Sequence, residues 1–416
     1  MRDKGRLIVG DELSYSRDSY ETQRNNNVMI VGASGTGKSR SYVIPNLLQK
    51  CGSYIVSDPK GQLQKNWADY FRDAGYDVKV LDFVNMNRHH YNPLEYVITE
   101  SDAYHLAYMM THDGNSTFGN DPFWDDANCM LLSLCMTLVL SHPAFAKKQN
   151  MGGIMDLMEM LTPFENNGSL LDNLYSLVME VQKKYGSSHP AVKKFRRFYA
   201  IVGAEKTTAN IIMTLNTILE PYTSLSACRM LSRNDVDFKR IGEKKTILFV
   251  SISDVDRSMD RLATVFFTQA LQQLCRHADS RPDGALRLPV TLICDDFATN
   301  LKIPDMPNYI STLRSRNINT MLILQSESQL YHLYGHNATT VVTNCDTYIY
   351  LGGSDLNTAE SVAKRANVLL PKVLNMEVGT NYIFRRGEQP VHGKSLCLEE
   401  WLKKQQNPET HVREIA

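Results

Sequence analysis

Val28-Met29-Ile30-Val31-Gly32-Ala33-Ser34-Gly35-Thr36-Gly37-Lys38-Ser39 is a short apolar run that breaks into a glycine-rich turn. Residues 32–39 fit GxxxxGK[ST], and they stand between a strand-like segment and a helical one, as that motif requires. Glycines let successive backbone N–H groups close around a β-phosphate, and the N-terminus of the following helix adds a favourable dipole. Lys38 has the length to reach the β- and γ-phosphates, and the Ser39 hydroxyl suits a magnesium ion. The competing reading is a glycine-rich turn with a chance lysine, and the flanking elements argue against it. Gly32, Ala33, Ser34, Gly35, Thr36, Gly37, Lys38 and Ser39 are therefore the candidate nucleotide loop.

Outward from this loop, the chain alternates between two periods. Ser53–Val56 and Val78–Leu81 are further apolar runs, separated by a helical pattern with Leu63, Trp67, Phe71 and Ala74 on one face and Gly75 as its stop. That βαβ rhythm predicts a parallel sheet covered by helices. From roughly residue 100 to 225 strand signals fade. Ile154, Leu157, Met158 and Leu161 share one helical face, and Leu170, Leu174, Leu177, Val178 and Val181 share another. Gly152-Gly153, Pro163 and Asn166-Asn167-Gly168 punctuate this region. Short, nearly continuous apolar runs then resume at 247–252, 290–294, 321–324, 348–351 and 382–384, as strands buried on both faces would. The expectation is an α/β fold with a mainly parallel sheet, interrupted by an all-α domain. The nucleotide-binding domain would comprise residues 1–98 and 233–416, and the helical domain residues 99–232.

Two later strands end in groups that suit a nucleotide. Val290–Cys294 runs into Asp295-Asp296, the Walker B pattern, with Asp295 in the magnesium shell and Asp296 orienting or deprotonating the attacking water. Leu322-Ile323-Leu324 ends in Gln325, placed to contact a γ-phosphate or that water. Arg314 and Arg316 stand just upstream. Either one is a candidate arginine finger reaching a neighbouring subunit's nucleotide, or both are solvated helix-end charges.

Composition sets the outer bounds. The chain has 45 basic and 45 acidic side chains and is 43% hydrophobic, which excludes disordered, collagenous and disulfide-scaffold classes. A net charge of zero gives no overall argument for nucleic-acid binding. The eight cysteines form no CxxC pair, and Cys129, Cys135 and Cys294 sit in apolar runs, favouring reduced, buried thiols in a cytoplasmic protein. The longest apolar run, Cys129–Leu140, falls short of the ~18 residues that span a bilayer, and the first 27 residues are polar.

Taken together, Gly32–Ser39, Asp58-Pro59-Lys60-Gly61, Asp121-Pro122-Phe123-Trp124, Asp295-Asp296-Phe297-Ala298, Arg314-Ser315-Arg316, Leu324-Gln325-Ser326, Asn344-Cys345-Asp346-Thr347 and Tyr350–Asp355 resemble the TraG-like coupling ATPases of type IV secretion and conjugation. The likeness runs from about residue 25 to 390 in the family's order. It implies a RecA-like P-loop NTPase domain, an all-α domain, ATP and Mg²⁺ as ligands, and a homohexameric ring. It also implies transfer of relaxase-bound single-stranded DNA, or of protein substrates, into a secretion channel at the inner face of the bacterial membrane. On that pattern Lys38 and Ser39 hold phosphate and magnesium, Asp295 supports the metal, Asp296 handles the water and Gln325 senses the γ-phosphate. Asp58 and Lys60 lie beside the nucleotide or at the subunit interface. Two departures stand out: many relatives carry glutamate at Asp296, and relatives usually carry N-terminal transmembrane helices. Membrane contact would then come through an anchor that has been removed or through a partner subunit, unless this is a soluble type.

Other features carry two readings each. Lys193–Tyr199 interleaves cations with aromatics as single-strand binders do, or forms a solvated helix face over core-facing Phe195 and Phe198. Trp124 reads as a helix-entry staple rather than a DNA stacker, and His89-His90 lacks the ligand set of a metal site. The charged segment 390–416 is a mobile tail or a partner-binding segment. Two alternative functions remain: a docking platform with little hydrolysis, favoured by the shorter Asp296, and an FtsK- or HerA-like DNA pump, disfavoured by the helical insert.

Overall fold

The computed structural model describes residues 5–112, 122–161, 171–202, 205–298 and 301–406. Two compact units emerge: one comprises residues 1–80, 238–254 and 271–416, the other residues 81–237 and 255–270.

The first unit is built on a nine-stranded sheet. In chain order its strands are β3 (Val28–Val31), β4 (Ser53–Ser57), β5 (Asp77–Asp82), β6 (Thr246–Ser251), β7 (Val290–Cys294), β8 (Ile318–Leu324), β9 (Thr347–Tyr350), β10 (Thr380–Arg385) and β11 (Val391–Lys394), preceded by a small hairpin of β1 (Arg6–Ile8) and β2 (Ser14–Ser16). The order across the sheet is β11-β10-β9-β3-β8-β7-β4-β6-β5. From β9 to β6 every pairing is parallel, whereas β9, β10 and β11 pair antiparallel. Every residue of β3, β4, β6, β7, β8 and β9 is buried, so the continuous apolar runs are explained by helices covering both faces. The helix Gln62–Asp73 turns Leu63 and Phe71 into the core and ends before Gly75, whose φ of +79° stops it. The mixed, mostly parallel sheet is the expected α/β architecture.

The helix after the glycine-rich loop does not start as an α-helix. Ser39–Val43 forms a π-turn that passes into the α-helix Ile44–Leu48. Pro45 has no N–H to give the carbonyl of Ser41, and its ring would collide there in α-geometry, so the turn widens.

The second unit is helical. Its centre is Pro122–Ser141, where Leu131, Leu132, Leu134, Cys135, Met136, Leu138 and Val139 are all buried, as befits a helix apolar on every side. The 12-residue apolar run therefore lies within a 20-residue helix that is long and apolar enough to cross a membrane, although it is largely buried inside the protein. Around it pack Glu100–Thr111, Met151–Leu161, Asp172–Tyr185, Pro190–Val202 and Glu205–Leu219. Glu100–Thr111 opens with a capping box in which Thr99 and Asp102 satisfy each other's backbone N–H groups.

The structure decides several of the sequence readings. Gly152 and Gly153 do not interrupt a helix but lie inside Met151–Leu161, and a Cβ on Gly153 would meet the Lys148 carbonyl oxygen at 2.1 Å. That glycine permits close backbone approach. Phe195 and Phe198 are buried, so the aromatics among the Lys193–Tyr199 cations are core side chains, and only Tyr199 stands exposed. The C-terminal segment is ordered structure up to 406: β11 joins the sheet, and Leu398–Gln406 follows with Leu396 and Leu398 buried and Trp401 and Leu402 packed on the core. The Asp121, Pro163, Asn166–Gly168 and Leu170 positions lie outside the described residues. Trp124 is half-buried and edge-on to Phe123, and the His90 ring is bonded to the Asp235 carboxylate at 2.7 Å. All eight cysteines are free, with Cys129, Cys135, Cys294 and Cys345 buried.

Candidate functional site

Strand order explains why distant motifs converge. β3, β8, β7 and β4 are consecutive parallel neighbours, so the segments leaving their C-terminal ends emerge along one edge of the sheet. Those segments are 32–39, Gln325, Asp295-Asp296 and Asp58–Gly61. The strand bearing Gln325 lies between the glycine-loop strand and the double-aspartate strand.

The glycine loop is held from two sides. Gly32 N–H donates to the Leu324 carbonyl at 3.1 Å, and Ala33 N–H donates to the Gly352 carbonyl at 2.9 Å. Within the loop, the Thr36 hydroxyl donates to the Ala33 carbonyl at 2.8 Å. Gly35 and Gly37 have φ of +81° and +84°, where a Cβ is strained, and a Cβ on Gly32 would lie 2.8 Å from the Thr36 hydroxyl oxygen. Lys38 is buried, and its ammonium donates to the Gly32 and Ala33 carbonyls at 2.6 and 3.0 Å. Burial lowers its pKa below the ordinary lysine range, and the Asp296 and Asp295 carboxylates oppose that shift. The two acids thus favour the charged ammonium that burial disfavours.

Ser39 and Asp295 are already paired: the serine hydroxyl donates to Asp295 Oδ2 at 2.8 Å. Burial pushes the Asp295 carboxyl above its usual range; the Ser39 bond opposes this, and the charge of Asp296 adds to it. A hydroxyl and a carboxylate in contact, one from each motif, form the oxygen set expected to hold magnesium. Asp296 follows in a tight turn at φ +49°, in the left-handed region that aspartate tolerates better than most residues. Its N–H donates to Asp295 Oδ1 at 3.1 Å, and the fully buried Phe297 anchors the turn by donating its N–H to Ile323 at 2.9 Å. The Gln325 amide reaches Asp296 Oδ1 at 3.5 Å, so the two groups proposed to handle the water face each other.

Asp58 has a structural partner. It is buried beneath the helix Gln62–Asp73 and accepts the Gln64 N–H at 2.8 Å, and the backbone bonds at Gln64, Leu63 and Gln62 counter the upward push of burial on its carboxyl. Lys60 is exposed in the same turn. Arg314 and Arg316 lie elsewhere. They precede β8, and its seven residues put them about 20 Å from the glycine-loop edge. Arg316 grips both oxygens of Asp279 at 2.7 and 3.1 Å, whereas Arg314 donates to the Ser19 carbonyl at 2.9 Å.

Some participants were not legible beforehand. The Ser57 hydroxyl donates to the Asp295 carbonyl at 3.4 Å, and Gln329 Oε1 accepts the Gln325 N–H at 3.3 Å. The Gly352 carbonyl that steadies Ala33 belongs to the quoted segment Tyr350–Asp355, and a glycine pair after an apolar run was the available signal.

The chain is 22% identical over 355 residues to the conjugal transfer protein TraG of Escherichia coli, covering 81% of this chain and 54% of that relative, so it spans about half the relative's length. Among solved structures it resembles the bacterial conjugative coupling protein TrwBΔN70 in complex with sulphate, with a TM-score of 0.66, 16% identity, and 95% and 90% of the two chains covered. TrwB in complex with ADP and Mg²⁺ gives a TM-score of 0.64 at 16% identity, with the same coverage of 95% and 90%. VirB4 of Thermoanaerobacter pseudethanolicus gives 0.55 at 12% identity, covering 96% and 98%. These structures establish a RecA-like P-loop NTPase fold. The model of the type IV secretory system conjugative DNA transfer family matches residues 2–366, and the chain belongs to that family.

Proposed function

We propose that this chain binds ATP with Mg²⁺ and hydrolyses it to move a conjugative substrate, relaxase-bound single-stranded DNA or a protein, into a type IV secretion channel. The observation that carries the reading is the strand order β3-β8-β7-β4, which brings Lys38, the Ser39–Asp295 pair, Asp296 and Gln325 to one edge of the sheet. In this assignment the loop N–H groups and Lys38 take the β- and γ-phosphates, and magnesium, when bound, would neutralise phosphate charge. Ser39 and Asp295 hold the metal, Asp296 accepts or orients the water proton, and Gln325 positions the water. Asp58 serves the fold, setting the helix beside the loop, and the exposed Lys60 is left to the nucleotide's edge or a neighbouring subunit.

The working form is a homohexameric ring at the inner face of the membrane, in contact with channel components and held there by an anchor or a partner subunit. Arg314 is the finger in trans. Arg316 is clamped by Asp279, and both arginines are a strand's length from their own loop. A second reading, a nucleotide-gated docking platform with slow turnover, draws support from Asp296 being one methylene shorter than glutamate and only 3.5 Å from Gln325. Steady-state ATP turnover, with and without single-stranded DNA and across protein concentrations, tests both against a Lys38→Ala control. DNA-stimulated turnover that rises cooperatively and vanishes in the control supports the motor. Saturable nucleotide binding with no turnover at any concentration supports the platform and refutes the motor.

A further inference from the structure

The segment after β9 touches both the glycine loop and the helix that begins just beyond Gln325. Its first contact is the Gly352 carbonyl, which accepts the Ala33 N–H at 2.9 Å. Three residues on, Asp355 caps the helix Leu356–Ala366 by accepting the Thr358 N–H at 2.9 Å. An N-cap needs no more than that bond. Asp355 Oδ2 makes two more: it accepts the Thr358 hydroxyl at 2.5 Å and the Ser328 hydroxyl at 2.8 Å. Thr358 Oγ1 in turn accepts the Glu327 N–H at 2.9 Å. Ser328 and Glu327 form the first turn of Glu327–Tyr334, and Gln329 in that turn accepts the Gln325 N–H at 3.3 Å. Hydrogen bonds at Gly352, Asp355 and Gln329, linked by the backbone from 352 to 355 and from 328 to 329, therefore join Ala33 to Gln325. The direct backbone bond from Gly32 to Leu324 fixes the strand end, whereas the Gln325 N–H is held by the first turn of the next helix while its side-chain amide meets Asp296.

We propose that Asp355 is a positioning residue for the nucleotide reaction: it ties the first turn of the helix after Gln325 to the segment that grips the phosphate loop, so that filling the loop sets the Gln325 amide. The proposal rests on the nucleotide reading above. A single carboxylate oxygen at the start of two helices is also electrostatically apt, because the positive dipole end of each favours a negative charge there.

Three variants separate this role from simple capping. Asp355→Ser keeps a capping oxygen for Thr358 but is too short to serve Ser328 as well; Ser328→Ala removes the bridge alone; Ser328→Thr restores a hydroxyl. Each is compared with the unmodified chain by thermal unfolding, ADPNP binding with Mg²⁺, hydrogen exchange with and without ADPNP, and ATP turnover. The expected result is ADPNP affinity within about twofold for all variants, with kcat lowered about fivefold in Asp355→Ser and Ser328→Ala at unchanged KM and recovered in Ser328→Thr. ADPNP should protect residues 32–39 in every variant but protect 325–330 only where the bridge is intact. In a Gln325→Ala background, Ser328→Ala should cause no further loss. Undiminished protection of 325–330 in both bridge variants, or a turnover loss that adds to that of Gln325→Ala, overturns the proposal. If the unmodified chain binds ADPNP without turning over ATP, the exchange pattern alone decides the link. If it fails to bind ADPNP, the nucleotide reading falls and takes the proposal with it.

Discussion

Ser39→Ala is a small perturbation with three separate readouts. In the structure its hydroxyl donates to Asp295 Oδ2 at 2.8 Å, the one bond that offsets the burial of that carboxylate from the loop side. A hydrogen bond to a charged acceptor contributes about 1.5–3 kcal/mol, and because Asp295 is only part-buried the lower end applies. For a unit of this size that loss corresponds to a fall of roughly 3–6 °C in the unfolding midpoint. The same hydroxyl is a proposed magnesium ligand, so the gain in ADPNP affinity on adding Mg²⁺ should shrink by about 10–100-fold, while Ser39→Thr should keep most of it. The pH dependence has a defined sign. Asp295 must be ionised to hold the cation, and burial raises its pKa, so Mg²⁺-dependent binding is lost as pH falls through a value above the ordinary carboxylate range. In Ser39→Ala the opposing bond is gone and that loss begins at a higher pH. The stability contribution runs the other way, being whole at low pH and lost as pH rises through the raised pKa, so the variant's destabilisation is larger at neutral than at acid pH. Unfolding by scanning calorimetry, with isothermal titration of ADPNP from pH 5 to 8, checks all three. An unchanged midpoint together with undiminished magnesium dependence would refute the assignment of Ser39 and Asp295 as one site.

Asp296→Asn should leave the unfolding midpoint nearly unchanged, because asparagine also tolerates φ of +49°, while removing the proposed base should lower kcat by about 10²–10⁴-fold in a coupled ATPase assay. Arg314→Ala should reduce turnover by about 10³-fold or more at high protein concentration without altering ADPNP affinity, and mixing it with Lys38→Ala subunits should restore activity, as a residue acting in trans requires. Arg316→Ala, which loses its two bonds to Asp279, should be seen first as a small drop in thermal stability. Gly153→Ala should destabilise the helical unit by about 1–3 kcal/mol in urea titration, since its Cβ has the Lys148 carbonyl in the way.

What was legible in the sequence follows from where each signal originates. β3 and β7 fall on Val28–Val31 and Val290–Cys294 as expected, because strands buried on both faces write an uninterrupted apolar run. β1, β2 and β11 have short, partly exposed sequences, and nothing in Val391-His392-Gly393-Lys394 separates an edge strand from a loop. The motifs named Lys38, Ser39, Asp295, Asp296 and Gln325 because each stands at a strand end, or at the helix start that the glycine loop leads into, with a side chain suited to phosphate, metal or water. The strand order that brings them together is long-range and leaves no local trace. The same holds for Asp355: its bonds to Ser328 and Thr358 join two helices that no periodicity relates. Phe195 and Phe198 show the reverse hazard, a pattern of cations and aromatics that only burial can sort into core and surface.

The central position of β3 also has a consequence for biosynthesis. Its two partners are β8 and β9, so Val28 waits for Met321 and Thr347 before either edge of the strand is satisfied. β3 and β4 are not neighbours, and the early strands cannot close on each other. At elongation rates of about 5–20 residues per second, the β3 edge stays open for roughly 15–60 s while the helical insert and β7 are being made. Nascent chains of this protein therefore carry a long-lived, fully apolar strand with open edges, a natural client for a ribosome-associated holdase. C-terminal truncations ending before β8 are expected to yield insoluble protein rather than a smaller working domain.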